Sequence, residues 1–146
     1  MSNPKRPWFK LYPEGMPHSV LDRAPNTLRS LLEKGVEQYG PETAFICGNE
    51  SVTYDEIYKN AKKLAAYMQT EMGLDKGARV AVATPNIIPF PTSAIANIMA
   101  GFIQVNVNPL YTPHELEHQL NDSGAEVIVV AGPSVATFTE VAKNTN

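Results

Sequence analysis

The sequence predicts an α/β fold, in which an N-terminal helix and a β-hairpin are followed by alternating strand–helix units that form a partial parallel sheet. Two observations predict this fold. Apolar runs at 79–84, 102–107 and 127–131 alternate with segments of helical periodicity, as expected of parallel strands joined by right-handed crossovers. Capping residues open the helical segments and glycines close them, so each element has a clear start and end.

The composition is that of a soluble globular domain, with 43% apolar and 18% charged residues in a chain of 146. The net charge of -3, without a run of Lys or Arg, argues against nucleic-acid binding. The single cysteine, Cys47, excludes an internal disulfide and fits a reducing compartment. No apolar run approaches the roughly 20 residues that span a bilayer, and no secretory signal follows Lys5 and Arg6. We therefore expect a cytoplasmic protein.

Residues 1–26 form a Pro-rich N-terminal arm, and residues 27–146 form the domain. The density of proline predicts no regular structure in the arm. Two interpretations stay open: the arm lies across the domain and buries its aromatic side chains, or it forms an aromatic-and-basic patch at a membrane surface or a protein interface. The residues concerned are Pro4, Pro7, Pro13, Pro17 and Pro25, with the cluster Trp8, Phe9 and Tyr12.

A first helix is predicted to begin after Asn26 or Thr27, because the side chain of either residue can cap it. The helix ends at Gly40-Pro41. A hairpin follows, with strands at 43–47 and 51–53 around a Gly-Asn turn. The apolar face of the helix carries Leu28, Leu31, Leu32, Val36 and Tyr39.

Thr53 and Glu56 form a capping box for a long helix that runs through Met72 and ends at Gly73. Its inner face carries Ile57, Ala61, Leu64, Ala65 and Met68. On the same helix, three tyrosines are predicted to be partly buried packing residues: Tyr54, Tyr58 and Tyr67.

The strand at 79–84 is broken by a Pro-Asn pair, and a helix then runs to Ala100, where a glycine ends it. Proline is tolerated in the first helical turn. This helix is therefore predicted to begin near Pro89 or Pro91 and not at Ile87.

Thr112, Pro113 and Glu115 predict the start of the next helix, at 113–123. The threonine hydroxyl and the glutamate can exchange hydrogen bonds with each other's backbone N–H, and proline at the first helical position costs nothing. Gly124 suits the left-handed residue that follows a helix end.

The apolar run at 127–131 predicts a fully buried strand. Ser134 is then predicted to cap a last helix, which carries Val135, Phe138 and Val141. The chain stops at Asn146 without a closing strand, and we interpret this as an artificial or premature end.

Few side chains are candidates for chemistry. His114 and His118 lie four apart, which suits a metal pair on a helix. No third ligand stands at a recognisable spacing, and with Glu115 and Glu117 beside them we interpret the pair as part of a solvated face. His18 has no evident partner in the sequence.

Cys47 lies in an apolar strand and is interpreted as an inert core thiol, not as a nucleophile. Asn106, Asn108 and Asn121 suit the backbone groups of turns and helix ends. In an alternative interpretation that stays open, the turn at 108–111 contacts a substrate or a second subunit. The turn follows the carboxyl end of a strand, where open α/β sheets bind ligands.

Several of these segments together resemble the long-chain fatty acid–CoA ligases (acyl-CoA synthetases), a branch of the adenylate-forming, AMP-binding enzymes. The segments are Ser51–Glu56, Gly77–Val82, Ala100-Gly101 and Asn106–Gly124. The resemblance runs from about Trp8 to the end of the chain, and the last segment is the one that points to the fatty acyl branch. It implies that residues 27–146 are the N-terminal part of an AMP-dependent synthetase/ligase domain. The chain is then an incomplete subdomain of a larger enzyme, and the remainder of the ligase is its partner.

The resemblance also implies a parent that activates a fatty acid with ATP and Mg²⁺ and transfers the acyl group to CoA. This chemistry needs a Gly/Ser/Thr-rich loop that ends in lysine, carboxylates for the ribose and Mg²⁺, and a mobile lysine. Residues 1–146 contain none of these motifs, so no catalytic, cofactor-binding or metal-binding residue is assigned. A peripheral membrane contact and a homodimer of the parent stay open.

Two hypotheses of function follow. In the first, the chain is the N-terminal fragment of the ligase, inactive alone and marginally folded, because apolar surface meant for the remainder is exposed. In the second, it is a stand-alone, non-catalytic α/β module that binds a full-length ligase or holds an acyl group.

Overall fold

The computed structural model describes residues 6–19 and 27–145, and it confirms the predicted α/β architecture. Asn26, Lys5, Pro4, Pro25 and Asn146 lie outside the described residues. The helices are α1 (Leu28–Tyr39), α2 (Tyr54–Thr70), α3 (Pro89–Ala100), α4 (Pro113–Ser123) and α5 (Val135–Ala142). The strands are β1 (Thr43–Cys47), β2 (Glu50–Thr53), β3 (Arg79–Ala83), β4 (Ile103–Asn106) and β5 (Val127–Val130). Two short 3-10 helices cover Pro7–Leu11 and Gly132–Ser134.

Strands β4, β3 and β5 lie side by side in that order, and both pairings are parallel. In this register Val80 of β3 stands opposite Gln104 on one side and Val127 on the other. Strands β1 and β2 form a separate antiparallel hairpin. The predicted hairpin and partial parallel sheet are therefore both confirmed.

The core lies on both faces of β3, because successive side chains of a strand point to opposite sides. Val80 packs into a cluster with residues of α2 and α3, whereas Ala81 packs into a second cluster with residues of α4 and α5. The first cluster includes Ile57, Ala61, Met68 and Ile95, and the second includes Leu116, Leu120, Phe138 and Val141. Helices thus cover both faces, as expected of strands joined by crossovers.

The helix boundaries follow the predicted caps. Thr27 caps α1, and the capping boxes of Thr53 with Glu56 and of Thr112 with Glu115 are both formed. Helix α3 begins at Pro89, as predicted from the two prolines. Gly101 and Gly124 end α3 and α4 with φ of 74° and 59°, a left-handed conformation that favours glycine.

The capping box of α4 makes a testable contribution to stability that depends on pH. The Thr112 hydroxyl and backbone N–H both donate to the Glu115 carboxylate, at 2.7 and 2.9 Å, and these bonds lower the pKa of Glu115. A lowered folded-state pKa gives stability that is present above the unfolded pKa and is lost as the pH falls through the folded value.

We expect Thr112→Ala to lower the free energy of unfolding by about 1 kcal/mol at neutral pH, since it removes the cap. Urea unfolding at neutral pH and at about pH 3 should show the deficit shrinking in acid, where the Glu115 carboxyl is protonated. Thr139→Ala is the matched control, because the Thr139 hydroxyl donates to the Val135 carbonyl within α5 and caps nothing. An equal, pH-independent loss in both variants would contradict the capping role.

Three predicted details of the later elements are wrong. Strand β5 is half-buried along its length, not fully buried, because it is an edge strand of the described sheet. Ser134 does not cap α5: it closes the second 3-10 helix and makes no side-chain cap bond. Helix α2 ends at Thr70, two residues before the predicted Met72.

The arm also differs from its prediction. It contains a 3-10 helix, although its prolines predicted no regular structure, because proline at the first position suits such a helix. Its aromatic side chains are not buried under the domain. Trp8 is 51% exposed and Tyr12 is 37% exposed.

Candidate functional site

An apolar groove of about 680 Å³ is the principal candidate site among the described residues. We define it by residues of four elements and of the connection before α3. Representative lining residues are Leu31, Val36, Phe45, Ile46, Ile57 and Phe90. The polar side chains of its wall are those of Cys47, Asn86 and three tyrosines. The groove therefore suits an apolar occupant and offers little to a charged one.

The groove exists because α1 buries none of its residues completely. Leu31, on the predicted apolar face of α1, remains 51% exposed. Across the groove, Ile46 and Phe45 of β1 are 75% and 41% exposed. A contiguous set of large, exposed apolar side chains marks an interaction surface more often than chance, unlike scattered ones.

A polar contact beside the groove joins α1 to α2. Arg29 donates to Glu33 at 2.9 Å, and this bond lowers the pKa of the Glu33 carboxyl. The hydroxyl of Tyr58, a groove residue, donates to the same carboxylate at 3.3 Å. Burial raises the pKa of Tyr58, so this hydroxyl keeps its proton and stays a donor. The contact holds α1 beside α2 while leaving the apolar wall open.

The thiol of Cys47 belongs to the groove wall and not to the core. It is half-buried, and its sulfur lies 3.8 Å from the carbonyl oxygen of Asn86. The prediction of a core thiol is therefore wrong in placement. The reason is that β1 sits in a two-stranded hairpin whose apolar side chains are not covered.

The histidine pair lies on the exposed side of α4, as the interpretation of a solvated face predicted. Within residues 6–19 and 27–145, no group of three or more His, Cys, Asp or Glu side chains is placed to hold a metal ion. His18 has partners that the sequence did not reveal. Its ring stacks on Phe9 at 4.1 Å, with Tyr12 at its edge.

The asparagines divide between a turn and a network of amide side chains that runs from the buried Asn97 to the exposed Asn106. Asn108 accepts from the backbone N–H of Leu110 at 3.0 Å, the predicted use of Asn in a turn. Asn106 instead accepts from the Gln104 amide at 2.8 Å, and Gln104 accepts from Asn97 at 3.2 Å. The turn at 108–111 has Leu110 87% exposed, and its role as a contact stays a prediction.

Sequence reasoning missed this amide network, which joins α3 to β4. Asn97 is 1% exposed and stands on the inner face of α3, four residues after the buried Ser93. The sequence did contain a signal for this network, namely two polar residues at helical spacing on a face that is otherwise apolar.

The tyrosines of α2 confirm their prediction in part. Tyr54 and Tyr58 are half-buried as predicted, whereas Tyr67 is 57% exposed.

The glycine-containing segment after β5 does not form a cradle for a nucleoside triphosphate. The glycine after β5, Gly132, precedes a proline that lacks a backbone N–H, and no lysine stands beside it. A triphosphate cradle needs several consecutive N–H donors and a cation. No step of ATP chemistry is therefore assigned to residues 6–19 and 27–145.

The exposed apolar surface of the groove is testable with a hydrophobic dye. We expect Ile46→Glu to lower the fluorescence of bound anilinonaphthalene sulfonate by about half or more, because it places a charge in the groove wall. Leu110→Glu is the matched control, since Leu110 is exposed but lies outside the groove lining. An equal effect of the two variants would show that the dye reports general surface.

A sequence profile described as AMP-binding enzyme matches residues 32–146. The chain belongs to this family. It is 39% identical over 141 residues to a long-chain-fatty-acid–CoA ligase of Escherichia coli. The aligned region covers 97% of the chain and 25% of that ligase. A ligase of the same description from Bacillus subtilis is 40% identical over 126 residues, covering 86% of the chain and 22% of that protein. The chain thus spans about a quarter of the length of these relatives.

The solved structure of a long-chain-fatty-acid–CoA ligase from Archaeoglobus fulgidus matches with a TM-score of 0.75 and 31% identity. The match covers 82% of the chain and 25% of that structure. A benzoate–CoA ligase from Burkholderia xenovorans has a TM-score of 0.77 at 23% identity, with 83% and 24% covered, and supports the fold alone. The predicted AMP-binding fold is therefore confirmed.

Proposed function

We propose that this chain is the N-terminal part of a long-chain fatty acid–CoA ligase. Such an enzyme activates a fatty acid with ATP and Mg²⁺ to an acyl-adenylate and transfers the acyl group to CoA. The observation that carries the proposal is the 39% identity to the Escherichia coli ligase across 97% of the chain. Residues for the chemistry itself are assigned to the remainder of the enzyme, since the described residues provide no triphosphate site.

The role of this chain in the ligase is structural support. The groove offers about 680 Å³ of apolar space, and α1 leaves Leu28 and Leu31 of its apolar face exposed. We assign this surface to contact with the remainder of the ligase chain. A fragment lacking that contact exposes apolar area, so it is expected to bind hydrophobic dyes strongly and to self-associate.

The proposal extends to the location of the enzyme in the cell. No helix among residues 6–19 and 27–145 is long and apolar enough to cross a membrane. We propose a cytoplasmic enzyme that contacts the membrane surface peripherally, where a long-chain fatty acid is concentrated. A homodimer of the parent belongs to the same proposal and is testable by the mass of the full-length protein in solution.

The test has two parts. The coding sequence past Asn146 is expected to continue in frame to a Gly/Ser/Thr-rich loop with a lysine. The full-length product should then catalyse exchange of pyrophosphate into ATP that depends on a fatty acid, whereas the 146-residue chain should not. A stop codon directly after Asn146, or exchange activity in the chain alone, would contradict the proposal.

The groove also favours a second candidate, a non-catalytic module that holds an acyl chain. Its apolar wall and volume suit such an occupant. Saturable binding of a spin-labelled or fluorescent fatty acid to the 146-residue chain, abolished by Ile46→Glu and unaffected by Leu110→Glu, would favour this module.

A further inference from the structure

Residues 6–19 form a small ordered unit, which we call the arm knob. Its centre is the Phe9 ring, which stacks on the His18 ring at 4.1 Å with an angle of 5° between the planes. Tyr12 meets the Phe9 ring edge-on at 5.3 Å, and Trp8 meets it edge-on at 6.3 Å. Backbone hydrogen bonds from Phe9 to Arg6 and from Tyr12 to Phe9 close the turns. The arm knob thus has its own internal contacts.

These internal contacts leave three large apolar side chains half or more exposed. Leu11 is 84% exposed, Trp8 is 51% exposed and Met16 is 49% exposed. All three lie in one short segment of the chain. Single exposed apolar residues are ordinary on a protein surface, but a cluster of them marks a contact.

The arm knob is also the basic part of an acidic chain. Residues 6–19 contain Arg6 and Lys10 against Glu14, a net charge of +1, whereas the whole chain carries -3 and the rest therefore -4. Lys10 and Arg6 are exposed, and the Arg6 guanidinium lies 5.6 Å from the centre of the Phe9 ring. This position sets the Arg6 charge beside the aromatic cluster, and Lys10 directly precedes the exposed Leu11 in the chain. The complementary partner is anionic.

We propose that the arm knob docks on the surface of an anionic phospholipid bilayer. Trp8 and Leu11 insert at the headgroup boundary, and Arg6 and Lys10 contact the lipid phosphates. Tryptophan and tyrosine prefer the membrane interface, and basic side chains are attracted to anionic lipid.

This inference rests on the proposed function, because it gives the proposed peripheral contact its surface and its lipid class. A ligase that acts on a long-chain fatty acid meets its substrate at a bilayer. The 3-10 helix provides what such a contact needs, since it presents apolar and basic side chains on one short, ordered segment.

Trp8 is the only tryptophan of the chain, so its fluorescence reports on the arm knob directly. We expect a blue shift, together with flotation of the 146-residue chain, with phosphatidylcholine vesicles that contain one third phosphatidylglycerol. Pure phosphatidylcholine vesicles and inorganic phosphate should give little of either signal. Raising the salt concentration should weaken binding, because charges near a bilayer surface are screened.

Two variants test the residues. Lys10→Glu is expected to weaken binding to the anionic vesicles about tenfold or more, since it reverses a charge at the surface. Lys143→Glu, the same exposed change on a residue outside the arm knob, should leave binding unchanged. Ile46→Glu controls for the groove, and circular dichroism confirms that each variant is folded.

Vesicle binding that is lost in Ile46→Glu but kept in Lys10→Glu would overturn the proposal, as would equal binding to neutral and anionic vesicles. A Trp8 shift with an acidic peptide such as polyglutamate, without any with vesicles, would assign the arm knob to a protein partner and overturn it also. A full-length protein that shows no fatty-acid-dependent exchange of pyrophosphate into ATP would be a separate result. It would contradict the ligase function and leave the vesicle measurement standing.

Discussion

Leu116→Ala is expected to lower the free energy of unfolding by about 2–5 kcal/mol, as large-to-small changes in a core do. Leu116 is completely buried, and it packs in the cluster that joins α4 and α5 to the sheet. Removing its side chain takes away apolar contact and leaves a cavity that the surrounding helices cannot fill completely. Equilibrium unfolding in urea, followed by circular dichroism, measures the loss.

Leu110→Ala is the matched control for this experiment. Leu110 stands six residues earlier in the same segment of the sequence, but it is 87% exposed. Its truncation should change the free energy of unfolding by less than about 0.5 kcal/mol. Similar losses in the two variants would mean that α4 does not pack on the sheet in solution.

The contrast between these two leucines shows what the sequence predicts well. Leu116 and Leu120 stand at helical spacing behind the predicted capping box, and α4 buries both of them. Local hydrogen bonds and periodicity are properties of a few neighbouring residues, so Thr112 and Gly124 mark the ends of α4 correctly. The same reasoning places α3 at Pro89.

Burial that depends on distant neighbours was predicted less well. Strand β5 is apolar at every position, yet its burial depends on how many strands lie beside it, and it is an edge of the described sheet. Helix α1 carries a clear apolar face, but the described elements cover it only in part: Leu32 packs against the core, whereas Leu28 and Leu31 stay exposed. Periodicity states which side of an element is apolar and says nothing about what covers it.

The candidate site shows the same division. The apolar face of α1 and the strand β1 were both predicted from the sequence, but their assembly into one groove depends on the packing of α3 and α2. The placement of Cys47 in the groove wall follows from this assembly and not from its strand. A local pattern therefore predicts which side chains are available to the site, and the tertiary fold determines which of them come together in the groove.

The amide network is the feature on which a single substitution should act most strongly after the apolar core. Asn97 is 1% exposed, and its amide donates to the neutral side chain of Gln104 at 3.2 Å. Its carbonyl oxygen is buried without a hydrogen-bond partner among the residues that the structure describes. A charge at this position would therefore be buried with no cation bonded to it.

Asn97→Asp is expected to lower the free energy of unfolding by about 3–5 kcal/mol at neutral pH, the cost of an uncompensated buried charge. Desolvation raises the pKa of the introduced carboxyl in the folded protein above its unfolded value of about 4. The deficit is therefore smallest below that unfolded value and grows as the pH rises towards the folded-state pKa. Asn60→Asp, the same change at an exposed position of α2, should cost little and show no such trend. Equal, small effects at both positions would mean that water reaches Asn97, and that the contact between α3 and β4 is looser than its hydrogen bonds indicate.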